Sequence, residues 1–135
     1  MSQFNSIPTR IFGGDPLVPA SPSNQRVPEL LTATTSRKIK GPQRVGHFCY
    51  HAQVAAGTTP VGTLTVWYSN LPNPDETSDA DWVQDASIAS LDLSVVANTF
   101  INVGNVFAEY IRFKVTRTSG TISLILHAKV EGVSV

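Results

Sequence analysis

The sequence predicts an all-β protein: a jelly-roll or β-sandwich body preceded by an extended N-terminal arm. Three observations point there. From Val45 onward apolar residues recur with a period of two in six or more short runs. No segment carries a sustained helical period. The composition is 41% hydrophobic and only 15% charged, rich in Thr, Ser, Val and Asn, which suits half-buried strands. With 135 residues, the chain is long enough for one domain with its own core. We divide it into an arm, residues 1–44, and a body, residues 45–135.

Six of the nine prolines (Pro8, Pro16, Pro19, Pro22, Pro28 and Pro42) fall in the arm. Each removes a backbone donor and biases its predecessor toward extended geometry, so neither a regular helix nor a central strand is expected. The exception is Pro28 to Thr35, where Pro-Glu-Leu-Leu has the form of a single helical turn with proline in its first position.

In the body, Phe48, Tyr50, Ala52 and Val54 share one face of a first strand, and Cys49, His51 and Gln53 the other. A turn at Gly57 to Pro60 follows. The segment GTLTVWYSN then sets Leu64, Val66 and Tyr68 against Thr65, Trp67 and Ser69. Leu71 to Asp85, with Pro72, Pro74 and five acidic residues, reads as a long loop closed by Trp82. Further strands are expected at Ile88 to Val95, Thr99 to Val103, Tyr110 to Thr116 and Thr121 to Val130. Thr118-Ser119-Gly120 is expected to form a hairpin connection between the last two.

Net charge is zero but unevenly placed. The arm carries Arg10, Arg26, Arg37, Lys38, Lys40 and Arg44 against Asp15 and Glu29, whereas the body has four basic and eight acidic groups. This asymmetry suggests an arm that meets an acidic surface, such as a neighbouring copy. With Phe12 and Trp67, those six basic residues are the candidate partner contacts. Trp67 opposes the Leu64/Val66/Tyr68 face: it is either exposed for a partner or covered by the arm or a second sheet.

Several chemistries find no support. There is no Gly-x-Ser-x-Gly elbow or patterned nucleophile and base, so no enzyme is expected. Ile11-Phe12-Gly13-Gly14-Asp15 lacks the Lys and following helix of a phosphate loop. Alternating His47, Cys49 and His51 share a strand face, but His47 and His51 stand ~13 Å apart, too far to share one ion. The acidic residues Asp75, Glu76, Asp79, Asp81 and Asp85 fit a solvated loop, the dock of a basic arm, or a calcium site without EF-hand spacing. No cofactor or metal is expected. A pI near 6.8 and an acidic body argue against specific nucleic-acid binding by Arg37-Lys38-Ile39-Lys40. No apolar run of membrane-spanning length or signal peptide is present, and the lone Cys49 forms no internal disulfide.

GTLTVWYSN, the proline-acidic loop and Asp81-Trp82-Val83 resemble the strand-loop-Trp element of discoidin-like, or galactose-binding-like, jelly rolls. The run AEYIRFKVTRTSGTISLILHAKVEG resembles their closing hairpin. Small tailed-phage virion proteins pair the same elements, and the resemblance covers roughly residues 45–133. It implies a compact jelly roll behind an extended arm, used as a capsid cement or decoration protein, or as a neck, tail or spike part. The sugar-binding members lack such an arm, which favours assembly over lectin activity, although a glycan is a possible ligand. The expected partners are the major capsid protein or other virion proteins, together with further copies of the chain. The expected location is the virion, assembled in the host cytoplasm.

Overall fold

In a computed structural model of the chain, residues 2–3, 9–13, 27–42 and 46–134 are described, with side chains for 9–13, 27–42 and 46–131. Among these, nine strands account for the regular structure, apart from a single 3-10 turn at Asp79–Asp81. They are β1 (Ser2–Gln3), β2 (Thr9–Phe12), β3 (Glu29–Leu31), β4 (Thr35–Lys40), β5 (Gly46–Ser69), β6 (Val83–Gln84), β7 (Leu91–Asp92), β8 (Ala97–Val106) and β9 (Tyr110–Ser134). The chain is therefore all-β. No helix of the described residues is long and apolar enough to cross a membrane.

β5 and β9 pair antiparallel along their whole lengths, from Gly46↔Gly132 to Ser69↔Tyr110. A straight strand would set Phe48 and Tyr68 about 65 Å apart. Their rings instead meet edge-on at 6.2 Å between centroids. The pair has folded back on itself, so one continuous sheet makes both layers of a sandwich. β8, the first half of β5, the second half of β9 and then β1 to β3 form the first layer. The second layer holds β6 and β7, the second half of β5, the first half of β9, and β4.

The bend lies where the sequence predicts two turns. Gly57 to Pro60 and Thr118 to Gly120 do not end strands; they are the irregular stretches of β5 and β9 where register shifts at Ala55/Thr58, Thr58/Val61 and Val61/Gly62. β5 runs one residue longer than β9 between the buried pairs Val54↔Leu124 and Leu64↔Val115, the signature of a β-bulge. Bulges let strands turn the corner between sheets. Thr59 (φ 44°) and Gly120 (φ 71°) take left-handed backbone there. A Cβ on Gly120 would lie 2.0 Å from the Thr59 carbonyl oxygen, so glycine is required.

The alternation read from the sequence sets the core. Phe48, Tyr50, Ala52, Val54, Leu64 and Val66 of β5 are buried, and β9 contributes Ile111, Phe113, Val115, Ile122, Leu124, Leu126 and Ala128. Phe113 contacts Phe48 and Tyr50 edge-on across the layers, at 6.1 and 5.7 Å. The strand expected at Ile88 to Val95 shortens to β7, whose follower Leu93 is buried against the core. The one expected at Thr99 to Val103 lengthens to the ten residues of β8.

The described parts of residues 1–44 belong to the same sheet. β2 and β3 pair with the second half of β9 and β4 with the first half. The single helical turn that Pro28-Glu29-Leu30-Leu31 would allow is not formed: Glu29 and Leu31 pair with Leu124 and Ile122 as a strand. Burying Leu31 against β9 outweighs the local proline signal. Short edge strands separated by prolines need no donor on their outer side, which reconciles these segments with their composition.

Candidate functional site

The two flanks of the sandwich differ. On the side built by β2, β3 and β4, Arg37 pairs with Phe113, which directs its side chain between the layers. There its guanidinium stacks 4.6 Å from the centre of the buried Phe12 ring. It donates to the Ile11 carbonyl and Glu29 Oε1, both at 2.6 Å, and its second nitrogen pairs with Glu29 Oε2. The Gly13 N–H also donates to Glu29, at 3.1 Å. Burial alone raises the Glu29 pKa, but these hydrogen bonds and the charges of Arg37 and Arg10 outweigh it and hold the carboxyl below the usual range. Phe12, Glu29 and Arg37 thus clip the two layers together.

The outer face of the second layer is covered by the acidic loop. Arg112, on the outward phase of β9, is fully buried with its guanidinium 4.5 Å from the Trp67 ring centre and 5.2 Å from that of Trp82. It donates to Asp79 Oδ1 at 2.7 Å and to the Glu76 carbonyl at 3.2 Å. Lys114 bonds the same Asp79 carboxylate, and the Lys114 and Arg112 hydrogen bonds keep the Asp79 pKa low. The loop reaches on to β4, where Glu76 Oε2 accepts from the Lys38 N–H at 2.9 Å and the Lys38 ammonium bonds Asn73 and the Pro74 carbonyl. The acidic loop is thus held by Lys38 from residues 1–44 and by Arg112 and Lys114 of the body. Its other carboxylates are also engaged locally, Asp75 by Thr77 and Asp81 by the Asp75 N–H. No three potential metal ligands converge among the described residues.

On the opposite flank, β6 edges the second layer and β8 the first, and a cleft of about 720 Å³ lies between β6 and the end of β8. Its rim carries Leu71, Val83 and Phe107, which are 49%, 73% and 63% exposed. Tyr68 and Asp85 also line it, joined by a 2.7 Å hydrogen bond. Burial and then the Asp85 carboxylate push the Tyr68 phenol pKa up, so the phenol keeps its proton and donates it to Asp85. The lining holds no histidine, cysteine or basic residue. The exposed apolar rim of Leu71, Val83 and Phe107 suits contact with apolar side chains, while Asp81, Asp85, Asn70 and Asn105 make the lining partly polar. Val95, Val96 and Phe100, toward the other end of β8, are exposed at 57%, 67% and 57%, with Val96 in a separate hollow beside Pro28 and Ile125.

Most of the candidate contact residues lie elsewhere. Phe12 is in the core, and Arg37 and Lys38 are engaged as above. Lys40 pairs with Glu109 beside Tyr110, and Arg10, exposed on β2, pairs in register with His127. Trp67 is half-buried under Arg112 and donates its N–H to Thr65 Oγ1 at 2.8 Å. Arg26 and Arg44 lie outside the described residues. Trp82 is buried, with its N–H bound to the Asp75 carbonyl, so the indoles stack on Arg112. Val83, Phe107 and Phe100 were not anticipated. For Phe107 and Phe100 the signal in the sequence is the absence of any charged residue from Leu93 to Ala108, with Phe100 on the polar phase between Asn98 and Asn102; Val83, between Asp81 and Asp85, carries none.

The sequence matches no family model and no curated protein.

Proposed function

We propose that this chain is a structural protein of a virus particle, a capsid cement or decoration protein that binds and stabilises neighbouring capsid subunits. The observation that carries this reading is the exposure of Leu71, Val83 and Phe107 together around the cleft on one flank. Apolar side chains gathered in one patch mark protein contact surfaces, and aromatic residues seated in a partner's pockets supply most of the binding energy. The resemblance of the strand-loop-Trp element to that of small tailed-phage virion proteins supports the same reading.

The described arm segments brace their own body through β9, which leaves the open flank to meet the partner. Adhesion is then the mechanism: the rim inserts into a capsid surface while the Glu29–Arg37 clip keeps the two layers from parting under load.

The test is to purify particles made from the genome that encodes the chain, identify their proteins by mass spectrometry, and reconstruct them. The expected result is a sandwich seated with Val83 and Phe107 against a capsid subunit. Particles that lack the chain would overturn the proposal, and density at the neck or tail would reassign it there.

A further inference from the structure

We propose that β8 pairs antiparallel with β8 of a second copy, in register about Phe100, joining the first layers of two molecules into one continuous sheet. This goes beyond the capsid reading and does not depend on it.

A strand at the border of a sheet presents unpaired N–H and C=O groups, and proteins that stay apart blunt such borders with charge, short strands or a covering segment. β4 is protected by charge and by cover: Arg37, Lys38 and Lys40 in six residues, and the Glu76 carboxylate on the Lys38 N–H. β1, β2, β3, β6 and β7 are at most four residues long. β8 has neither defence. It is ten residues long, pairs only with β5 among the described strands, and lies within the uncharged run from Leu93 to Ala108. Its one bulge, with Asn105 in left-handed backbone, lies beyond Val103 and leaves Ala97–Val103 in unbroken register with β5.

The choice of a second copy comes from the side chains. A two-fold antiparallel pair places residue i opposite a fixed partner j, and j opposite i, so the strand must match its own reversal. Ala97-Asn98-Thr99-Phe100-Ile101-Asn102-Val103 does so about Phe100. Phe100 meets Phe100, Asn98 meets Asn102, β-branched Thr99 meets β-branched Ile101, and Ala97 meets Val103. Aromatic and amide pairs of this kind stabilise neighbouring strands. A charged residue near the centre would oppose its own copy, and none is present. Asn98, Phe100 and Asn102 are exposed, on the outer face, where the two ring systems and amides would stack across the junction. Of the cleft lining, the paired segment shares only Val103.

Sedimentation velocity of the full chain over a concentration series tests this. The expected result is a twofold rise in mass with concentration, abolished by Phe100→Lys, with the far-UV circular dichroism unchanged because Phe100 is exposed. Register is read by disulfide formation in a Cys49→Ser background. Phe100→Cys faces its own copy and crosslinks, whereas Asn102→Cys lies ~13 Å from its counterpart and does so at least severalfold less. A wild-type chain that stays monomeric throughout overturns the proposal. So does a dimer indifferent to Phe100→Lys that crosslinks equally at both positions. Neither outcome bears on whether the chain decorates particles.

Discussion

The two flanks of this sandwich solve the same problem in opposite ways. Both are places where a two-layer β structure ends and its core and strand edges meet solvent. On the N-terminal flank the end is closed: Phe12 is buried, Arg37 lies over it, Glu29 neutralises Arg37, and β4 carries its own charges under the acidic loop. On the other flank β6 and β8 stand apart around a cleft, with aromatic and branched side chains left in solvent. A monomer with no further contacts gains nothing from such exposure, whereas a protein that completes its surface on a partner does. The difference separates the part of the chain that maintains the fold from the part we assign to its use.

Substitutions at matched residues sharpen the comparison. Phe12→Ala removes a fully buried ring from the closed flank, and chemical unfolding should show a loss of about 4 kcal/mol. Arg112→Ala frees the loop that forms one wall of the cleft and leaves Trp67 and Trp82 unpacked; we expect about 3 kcal/mol lost, with the change in tryptophan fluorescence as a second readout. Glu29→Gln should cost ~1 to 2 kcal/mol at neutral pH, because Arg37 and the Gly13 N–H lose a charged acceptor. The folded pKa of Glu29 lies below its unfolded value, so its contribution is present above the ordinary glutamate range and disappears as pH falls through the folded value. Wild type and Glu29→Gln should therefore converge in stability in acid; a gap that persists well below pH ~4 contradicts the clip. Phe107→Ser, on the open flank, should change stability by no more than about 0.5 kcal/mol. A loss approaching that of Phe12→Ala would make Phe107 part of the core and erase the contrast.

The sequence revealed the body far better than the boundaries within it. Phe48 to Val54 and Ile122 to Ala128 show their buried faces by alternation alone, because each apolar side chain gains by burial whichever strand it meets. Gly57–Pro60 and Thr118–Gly120 were legible as places where the chain departs from a regular strand, but glycine and polar residues mark a bulge and a hairpin alike. What distinguishes them is the pairing of the two stretches with each other, which is a property of the fold. β2 to β4 were hidden for a similar reason, since short proline-separated segments become strands only through the free edge of β9. Arg112 between Ile111 and Phe113 reads as a surface residue of a half-buried strand. Its burial is created by two tryptophans and a loop distant in sequence. The acidic cluster was visible, while its partners Lys38, Arg112 and Lys114 were not assignable without the fold.

The claim that the open flank is the working surface is tested most directly by titrating full-length protein onto particles that lack it. Val83→Asp and Phe107→Asp are compared with Lys40→Asp on the closed flank and with wild type. We predict that each open-flank substitution weakens binding at least tenfold while Lys40→Asp binds as wild type does. Undiminished binding by both open-flank variants, or loss confined to Lys40→Asp, would contradict the assignment.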